Sequence, residues 1–310
     1  MGASFDPNPN SNPMTIKKVG VVGCGLMGHG IVQVAANAGF DVVALESTQE
    51  ALDKGLGRVS KSLEKLAAKA VEKGKQSEAE AKAAVEAARG RIQGSLDKQD
   101  LADCDLVVEA IVEDLDVKKS LFAELGQLCK PETILASNTS SFPIGEMAQA
   151  SGRPERVVGL HFFNPVQLMR LVEVVRTDQT DDEVFAAAKA FGEGVGKTAV
   201  SCKDTPGFVV NRLLVPYMSQ ALLMLDRGDA TKEDIDAAMQ LGCGYPMGPL
   251  TLTDYVGLDT TLSILKGWTE RYPDEPAFVI PKVLEQKVAE GKLGRKSGEG
   301  FYKWDGDKKQ

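Results

Sequence analysis

The segment Ile16-Lys-Lys-Val-Gly-Val-Val-Gly23-Cys-Gly25-Leu-Met-Gly28 carries the strongest structural signal in this chain. Its first half, Ile16 to Val22, is a strand pattern rich in β-branched residues, and its second half is a G-x-G-x-x-G glycine turn. A helical pattern follows and ends at Gly39, after which a second strand pattern, Asp41 to Leu45, leads to the acid Glu46. This order of strand, glycine turn, helix, strand and acid predicts a dinucleotide-binding βαβ unit.

Each glycine of the turn has a separate physical task. Gly23 permits the tight turn, Gly25 lets the backbone approach a pyrophosphate, and Gly28 lets the helix pack closely on the strand. The helix N-terminus adds free amide donors and the positive end of the helix dipole. The predicted cofactor loop therefore comprises Gly23, Cys24, Gly25, Leu26, Met27 and Gly28.

The acid at the end of the second strand predicts which dinucleotide binds. Glu46 can accept hydrogen bonds from the ribose hydroxyls of the adenosine, and its charge would repel a 2′-phosphate. NAD is therefore the expected cofactor rather than NADP.

Two later strand patterns, Leu106 to Val112 and Thr133 to Ala136, extend the predicted sheet. Ligands of open α/β sheets gather at the carboxyl ends of the strands, so Glu113 and Ser140 fall where chemistry is expected.

His161, one of only two histidines, is a candidate general base. It lies in Gly159-Leu-His-Phe-Phe-Asn-Pro165, twelve residues before Glu173, and the apolar runs around each residue predict two strands joined by a turn. Paired strands would place the imidazole beside the carboxylate, which fixes the tautomer and leaves the second nitrogen to accept a proton near neutral pH. The alternative for an isolated pair is a histidine that caps the end of a buried strand.

Composition excludes several classes of protein. The chain has 310 residues, enough for two domains, and a net charge of −8 argues against binding to nucleic acid. No apolar run approaches the roughly 20 residues that span a bilayer, so no membrane association is expected. Five scattered cysteines favour neither a disulfide framework nor a zinc site, and we expect no metal and a reducing, cytoplasmic compartment. Residues 1–15 are expected to be a disordered extension without a targeting signal.

The remaining pattern is largely helical. Residues 49–92, rich in Ala, Lys and Glu, predict a helical hairpin inserted into the first domain, with Lys69 on one face of its first helix. After a strand pattern ending at Cys202, Asp204 or Thr205 is the expected N-cap of a helix to Asp226, with Pro206 in its first turn. That helix is apolar on several sides, which favours a subunit interface. We predict an α/β Rossmann-like domain (16–203) followed by an all-α domain (204–310).

Taken together, these motifs resemble the short-chain L-3-hydroxyacyl-CoA dehydrogenases, the type that includes 3-hydroxybutyryl-CoA dehydrogenases. The resemblance covers residues from about Ile16 to Trp304. It is carried by GCGLMGHGIVQ (23–33), DLVVEAIVED (105–114), SNTSS (137–141), GLHFFNPV (159–166), LVEVV (171–175), SCKDTPGFVVNRLL (201–214), GYPMGP (244–249) and GEGFY (298–302).

The resemblance implies roles for individual residues. His161 would be the acid/base on the 3-hydroxyl of the substrate and Glu173 its partner, with Ser140 and Asn211 beside the reacting oxygen and thioester. The residues implied on the nicotinamide side of the cofactor site are Glu113, Lys118, Asn164 and Lys296, together with Ser140. The residues implied in coenzyme A binding are Ser62, Lys69 and Ser140.

The implied activity is the oxidation of (S)-3-hydroxyacyl-CoA by NAD in a homodimer joined through the helical domain. Two alternatives stay open at this point: a related dehydrogenase of a free hydroxy acid such as L-gulonate, and a non-catalytic relative like lens λ-crystallin. Glu46 departs from the aspartate common at this position, and its longer side chain can make the same ribose contacts. The sequence leaves open the acyl chain length and the choice between fatty-acid breakdown and butanoate metabolism.

Overall fold

A computed structural model describes residues 14–310, which form two compact units. The first unit ends at Phe208, and the second comprises Val209–Gln310. The predicted domain boundary, between residues 203 and 204, precedes the end of the first unit by a few residues. Of the extension predicted over residues 1–15, residues 1–13 lie outside the described residues. The predicted fold class, a Rossmann-like α/β domain with a helical second domain, is confirmed.

An eight-stranded sheet forms the first unit, with strand order β3-β2-β1-β4-β5-β6-β7-β8. Neighbouring strands are parallel except β6 and β7, which are antiparallel. The chain builds outward from β1 first to one side and then to the other, so the crevice between β1 and β4 is the topological switch point at which such sheets bind ligands. The strands are β1 (Lys18–Val22), β2 (Asp41–Leu45), β3 (Ile92–Ser95), β4 (Leu106–Glu109), β5 (Ile134–Ser137), β6 (Val157–Phe162), β7 (Leu171–Arg176) and β8 (Thr198–Lys203).

Six α-helices accompany this sheet within the part of the unit that the structure describes. They are α1 (Gly28–Asn37), α2 (Gln49–Glu72), α3 (Glu78–Gly90), α4 (Leu115–Leu128), α5 (Ile144–Ala150) and α6 (Asp182–Gly194). The predicted hairpin is formed by α2 and α3, and α3 begins with a capping box between Ser77 and Glu80. The strand β3 was not predicted, because the edge strand Ile-Gln-Gly-Ser has only one buried residue and no apolar alternation.

Burial of the central strands stabilises this unit. β-branched side chains of β1 and β4, such as Val19, Val21 and Val108, have no solvent exposure. Each contributes roughly 1.5–3 kcal/mol relative to an exposed side chain. The core thus holds the carboxyl ends of β1 and β4, and the loops that follow them, in fixed positions.

The second unit is a helical cluster that ends in a short hairpin. Its elements are α7 (Val210–Arg227), α8 (Lys232–Cys243), α9 (Pro249–Val256), α10 (Leu258–Arg271), α11 (Lys282–Ala289), β9 (Trp304–Asp305) and β10 (Lys308–Lys309). Leu222, Leu265 and Leu284 are fully buried in its core. Thr231 caps α8 and accepts a hydrogen bond from the Asp234 N–H. The helix α9 and the terminal hairpin were not predicted.

The predicted start of α7 is wrong. The helix begins at Val210, and its N-cap Val209 makes no side-chain capping bond. Gly207 and Phe208 both have positive φ, 75° and 55°, so the chain after Pro206 turns instead of entering a helix. Asp204 caps a different helix: its carboxylate accepts the backbone N–H groups of Ile144 (2.9 Å) and of the next residue at the start of α5.

The turn at residues 244–249 is ordered by a buried acid. Gly244 ends α8 in the left-handed conformation, with φ of 71°. A Cβ on Gly248 would lie 2.4 Å from the Cα of Asp236, so only glycine allows this approach. The Asp236 carboxylate then accepts the N–H groups of Leu250 (2.8 Å) and Thr251 (3.0 Å) at the start of α9.

Among residues 14–310, no helix combines the length and apolar character that a membrane crossing requires.

Candidate active site

The loops that follow β1, β2, β4 and β5 leave the sheet at one edge, because these strands run parallel. His161 lies near the carboxyl end of β6, which continues the parallel set. The glycine loop, Glu46, Glu113 and the segment 137–141 therefore share the edge that carries His161. Topology alone brings most of the predicted residues of this unit to one place.

The glycine loop shows two kinds of close approach and one open position. Gly23 has φ of 91°, and a Cβ there would lie 2.6 Å from the carbonyl oxygen of Ala110. A Cβ on Gly28 would lie 1.7 Å from the carbonyl oxygen of Gly23. By contrast, a Cβ on Gly25 would meet no atom of the protein within 4 Å. The space above Gly25 is open, which fits the approach of a dinucleotide pyrophosphate to the backbone.

Two further features of the loop fit a dinucleotide. The N-cap of α1, Met27, makes no side-chain capping bond, so its side chain does not occupy this helix end, where an anionic ligand would be favoured. The Glu46 carboxylate lies at the end of β2 and accepts the N–H groups of Cys24 (2.6 Å) and Ser47 (3.2 Å). The acid thus lies beside the glycine loop, where an adenosine ribose would meet it.

The His161 imidazole and the Glu173 carboxylate are in direct contact. The two residues lie opposite each other in the antiparallel register of β6 and β7, and Nδ1 of His161 is 2.7 Å from Oε2 of Glu173. His161 is 6% exposed and Glu173 is fully buried. The rings of Phe163 and Phe208 lie 4.5 and 5.5 Å from the imidazole, centroid to centroid. Because Nδ1 is engaged, Nε2 is the nitrogen that is available for proton transfer to a substrate.

Ser140 belongs to a loop that Glu113 organises. The Glu113 carboxylate accepts the Thr139 hydroxyl (2.6 Å), the Ser140 N–H (3.1 Å) and the Ser141 hydroxyl (2.9 Å). Burial opposes ionisation of Glu113, but the charge of Lys118 and the Thr139 and Ser141 hydroxyls outweigh it and hold the pKa of Glu113 below its ordinary value. A charged Glu113 therefore joins the loop after β4 to the loop after β5.

Lys118 has two carboxylate partners, one of which sequence reasoning missed. Its ammonium lies 2.5 Å from Glu109 and 3.1 Å from Glu113. Lys118 is 1% exposed and Glu109 is fully buried. The signal that was overlooked is the acid that ends the otherwise apolar strand Leu-Val-Val-Glu.

Three other predicted residues of this unit lie on the turn after β6 and on α2. Asn164 is exposed in the turn that follows β6, immediately before the cis peptide to Pro165. Ser62 and Lys69 are seven residues apart on α2, about two turns, and thus share one face of that helix. Lys69 is exposed.

The remaining two predicted residues belong to the second unit. Asn211 lies in the first turn of α7. Lys296 lies in a 3₁₀ turn, Arg295–Ser297, and its ammonium is 2.6 Å from the carboxylate of Asp259. Hydrogen bonds from Lys296 and the backbone outweigh the effect of burial and lower the pKa of Asp259.

A buried carboxylate that the sequence analysis did not identify shapes the loop around Lys296. Asp254 is 1% exposed and accepts the N–H groups of Phe301 (2.7 Å) and Tyr302 (2.9 Å) and the indole N–H of Trp304 (2.9 Å). Burial raises the pKa of Asp254 although these donors oppose the shift. A Cβ on Gly300 would lie 2.1 Å from the Asp254 Oδ1, which explains a glycine in GEGFY.

Both units match models of the same protein family. A family model described as "3-hydroxyacyl-CoA dehydrogenase, NAD binding domain" matches residues 18–205. A second model, "3-hydroxyacyl-CoA dehydrogenase, C-terminal domain", matches residues 207–304. The two models together cover nearly the whole chain.

Individual relatives agree with these models. The chain is 52% identical over 287 residues to a probable 3-hydroxybutyryl-CoA dehydrogenase of Deinococcus radiodurans, covering 93% of this chain and 100% of the relative. It is 48% identical over 305 residues to the mitochondrial hydroxyacyl-coenzyme A dehydrogenase of Sus scrofa, covering 98% and 96%. The crystal structure of (S)-3-hydroxybutyryl-CoA dehydrogenase from Ralstonia eutropha matches with a TM-score of 0.88 and 38% identity, covering 94% of this chain and 100% of that one.

Proposed function

The chain belongs to the 3-hydroxyacyl-CoA dehydrogenase family, and we propose that it oxidises (S)-3-hydroxyacyl-CoA reversibly to 3-oxoacyl-CoA with NAD. The observation that carries this proposal is the buried contact between His161 and Glu173 at the carboxyl edge of the sheet. A histidine that only capped a strand end would need neither a buried carboxylate at 2.7 Å nor a place on the ligand edge.

We assign the proton transfer to His161. In the oxidative direction, Nε2 accepts the proton of the 3-hydroxyl while carbon 3 loses a hydride and the carbonyl forms. NAD, when bound, supplies the acceptor for that hydride. Glu173 holds the ring through Nδ1 and stabilises the imidazolium as its charge develops. General acid/base assistance of this kind is worth roughly 10²–10⁴-fold in rate.

The other assignments follow the family pattern. Ser140 and Asn211 are proposed to position the reacting oxygen and the thioester, and Ser62 and Lys69 to contact coenzyme A. The proposed cofactor site comprises the loop 23–28, Glu46, Glu113, Lys118, Ser140, Asn164 and Lys296. The order that Glu113 imposes on residues 139–141 supports the place of Ser140 in this set.

We propose a homodimer formed through the second unit, in a reducing compartment such as the cytoplasm. The support for a dimer is a set of exposed apolar side chains, with Leu213 of α7 68% exposed and Leu241 of α8 88% exposed. The support for a reducing compartment is that all five cysteines are free and four of them are buried.

A substrate comparison tests the proposed activity. We expect the purified chain to oxidise NADH rapidly with acetoacetyl-CoA, to reduce NAD slowly or not at all with L-gulonate, and to prefer NADH to NADPH. A series of 3-oxoacyl-CoA chain lengths would then define the acyl preference. Turnover of gulonate above that of acetoacetyl-CoA would favour the free hydroxy acid instead. Binding of NADH without turnover of either substrate would indicate a non-catalytic relative.

A further inference from the structure

We infer that Glu109 is a positioning residue for the proposed cofactor site: it holds the Lys118 ammonium at the carboxyl edge of the sheet, where Lys118 pairs with Glu113. This inference rests on the proposed function, because Lys118 and Glu113 are assigned to the cofactor side of that site. Glu109 is expected to act through Lys118 and not to contact the cofactor itself.

The contacts of Glu109 show a carboxylate built into the protein. Oε1 accepts the Ile111 N–H (2.8 Å) and lies 2.5 Å from Nζ of Lys118, while Oε2 accepts the Ser137 hydroxyl (2.6 Å). Every one of these contacts lies at the ends of β4 and β5 or at the start of α4. Three donors satisfy a fully buried carboxylate, and they leave it one orientation.

Lys118 depends on this carboxylate because of its burial. A lysine that is 1% exposed cannot exchange its partner for water, and loss of one member of a buried ion pair leaves an uncompensated charge. Glu113, the second partner, is farther away at 3.1 Å and its side chain is 39% exposed. Without Glu109, Lys118 would keep only the more exposed of its two carboxylates or leave its present position.

The consequence reaches the predicted site residues through Glu113. Lys118 and the hydroxyls of Thr139 and Ser141 all converge on this carboxylate, which also accepts the Ser140 N–H. A displaced Lys118 would therefore alter the loop that carries Ser140. The end of β4 also supports the glycine loop, since the Gly23 Cα lies against the backbone of Ala110. Glu109 thus lies at the base of both loops.

The test uses a double-mutant cycle on the full chain, with NADH as the probe. The variants are Glu109→Gln, Lys118→Met and the double variant. The matched control is Glu183→Gln, which removes a different ion pair of this unit, the one with Arg156. NADH affinity is measured by fluorescence titration and folding by thermal unfolding. The double variant removes both charges, so it stays informative if Glu109→Gln alone does not fold.

We expect Glu109→Gln and Lys118→Met each to raise the dissociation constant of NADH about tenfold, because each variant loses a charge-assisted hydrogen bond. The double variant should bind NADH no more weakly than Lys118→Met, because Glu109 then has no lysine to hold. The control should bind NADH like the wild type. Either of two results would overturn the inference. One is a dissociation constant in the double variant that is raised by the product of the two single-variant increases, and the other is wild-type NADH affinity in folded Glu109→Gln. The titration needs no acyl-CoA turnover, so failure of the proposed activity is detected separately.

Discussion

Nδ1 of His161 lies 2.7 Å from Oε2 of Glu173, in a contact that is almost entirely excluded from solvent. The antiparallel register of β6 and β7 creates this contact, because it places the two residues directly opposite each other. A one-residue slip of that register would turn one of the side chains to the other face of the sheet. The sheet therefore sets the orientation of the imidazole before any ligand binds.

The first prediction concerns the carboxylate of this pair. Glu173→Gln keeps the size of the side chain but removes the charge that stabilises an imidazolium. We expect kcat with acetoacetyl-CoA to fall by about 10²-fold or more, as when the buried acid of a catalytic triad is replaced by its amide. The dissociation constant of NADH should not change. The Glu183→Gln variant, which removes the ion pair to Arg156, serves as the control. Near wild-type turnover of Glu173→Gln would refute the role given to this carboxylate.

Two glycines of the cofactor loop should respond differently to substitution. Gly25→Val adds a side chain where no protein atom lies, so the thermal midpoint should be retained while NADH binding is weakened. The expected loss is about 1.4 kcal/mol or more, which is about tenfold in the dissociation constant. Gly28→Ala places a methyl 1.7 Å from the Gly23 carbonyl oxygen and should lower the thermal midpoint. Equal NADH affinity in Gly25→Val and wild type would show that no ligand approaches this position.

Acid should remove a stabilising contribution of Asp105. Burial opposes its ionisation, but the Lys130 ammonium and the N–H groups of Lys17 and Lys18 outweigh this and hold the pKa of Asp105 below its ordinary value. When the pKa of an aspartate is lower in the folded protein than in the unfolded chain, its charge stabilises the fold at pH values above the unfolded-state pKa of about 3.9. This stabilisation is lost as the pH falls toward the folded-state pKa.

The corresponding measurement compares thermal midpoints across pH. Asp105→Asn should unfold at a lower temperature than wild type at pH 7, and the difference should shrink below about pH 4. Asp305→Asn, at an exposed position of the second unit, is the control and should show no such pH dependence. A difference between Asp105→Asn and wild type that stays constant with pH would contradict the contribution assigned to its charge.

Thiol reactivity should separate the five cysteines. Burial raises the pKa of Cys24, Cys104 and Cys202 to about 12 and that of Cys129 to about 11, whereas Cys243 is exposed. The thiolate is the reactive form, so at pH 8 a disulfide reagent should label only Cys243 in the native protein. The other four should react after unfolding in guanidinium. Cys243→Ser should abolish the native signal, and rapid native labelling of that variant would show that the interior opens readily.

Features with a local sequence signal were predictable. The segment from Ile16 to Glu46 identifies the first βαβ unit because each of its elements depends on residues that are adjacent in sequence. The pairing of His161 with Glu173 was also within reach, since one turn joins their strands. The family resemblance, which the comparisons confirm, added roles that spacing alone does not provide.

Features that depend on distant residues were not predictable. Asp204 matched the pattern of an N-cap for the next helix, but it caps α5, about sixty residues earlier in the chain. Asp254 has donors supplied by distant segments, so nothing near it in sequence marks it as buried and fully bonded. Glu109 ends an apolar strand, but its bond to the Ser137 hydroxyl depends on a neighbouring strand. The edge strand β3 has too little apolar alternation to be recognised without its neighbour β2.

The most direct test of the proposed chemistry is the turnover of His161→Gln with NADH and acetoacetyl-CoA, measured beside an NADH titration of the same variant. Glutamine fills a similar volume but cannot exchange a proton as imidazole does. We predict that kcat falls by roughly 10²–10⁴-fold while the dissociation constant of NADH stays that of the wild type. A His161→Gln variant that turns over acetoacetyl-CoA at a near wild-type rate would contradict the assignment of His161 as the acid/base.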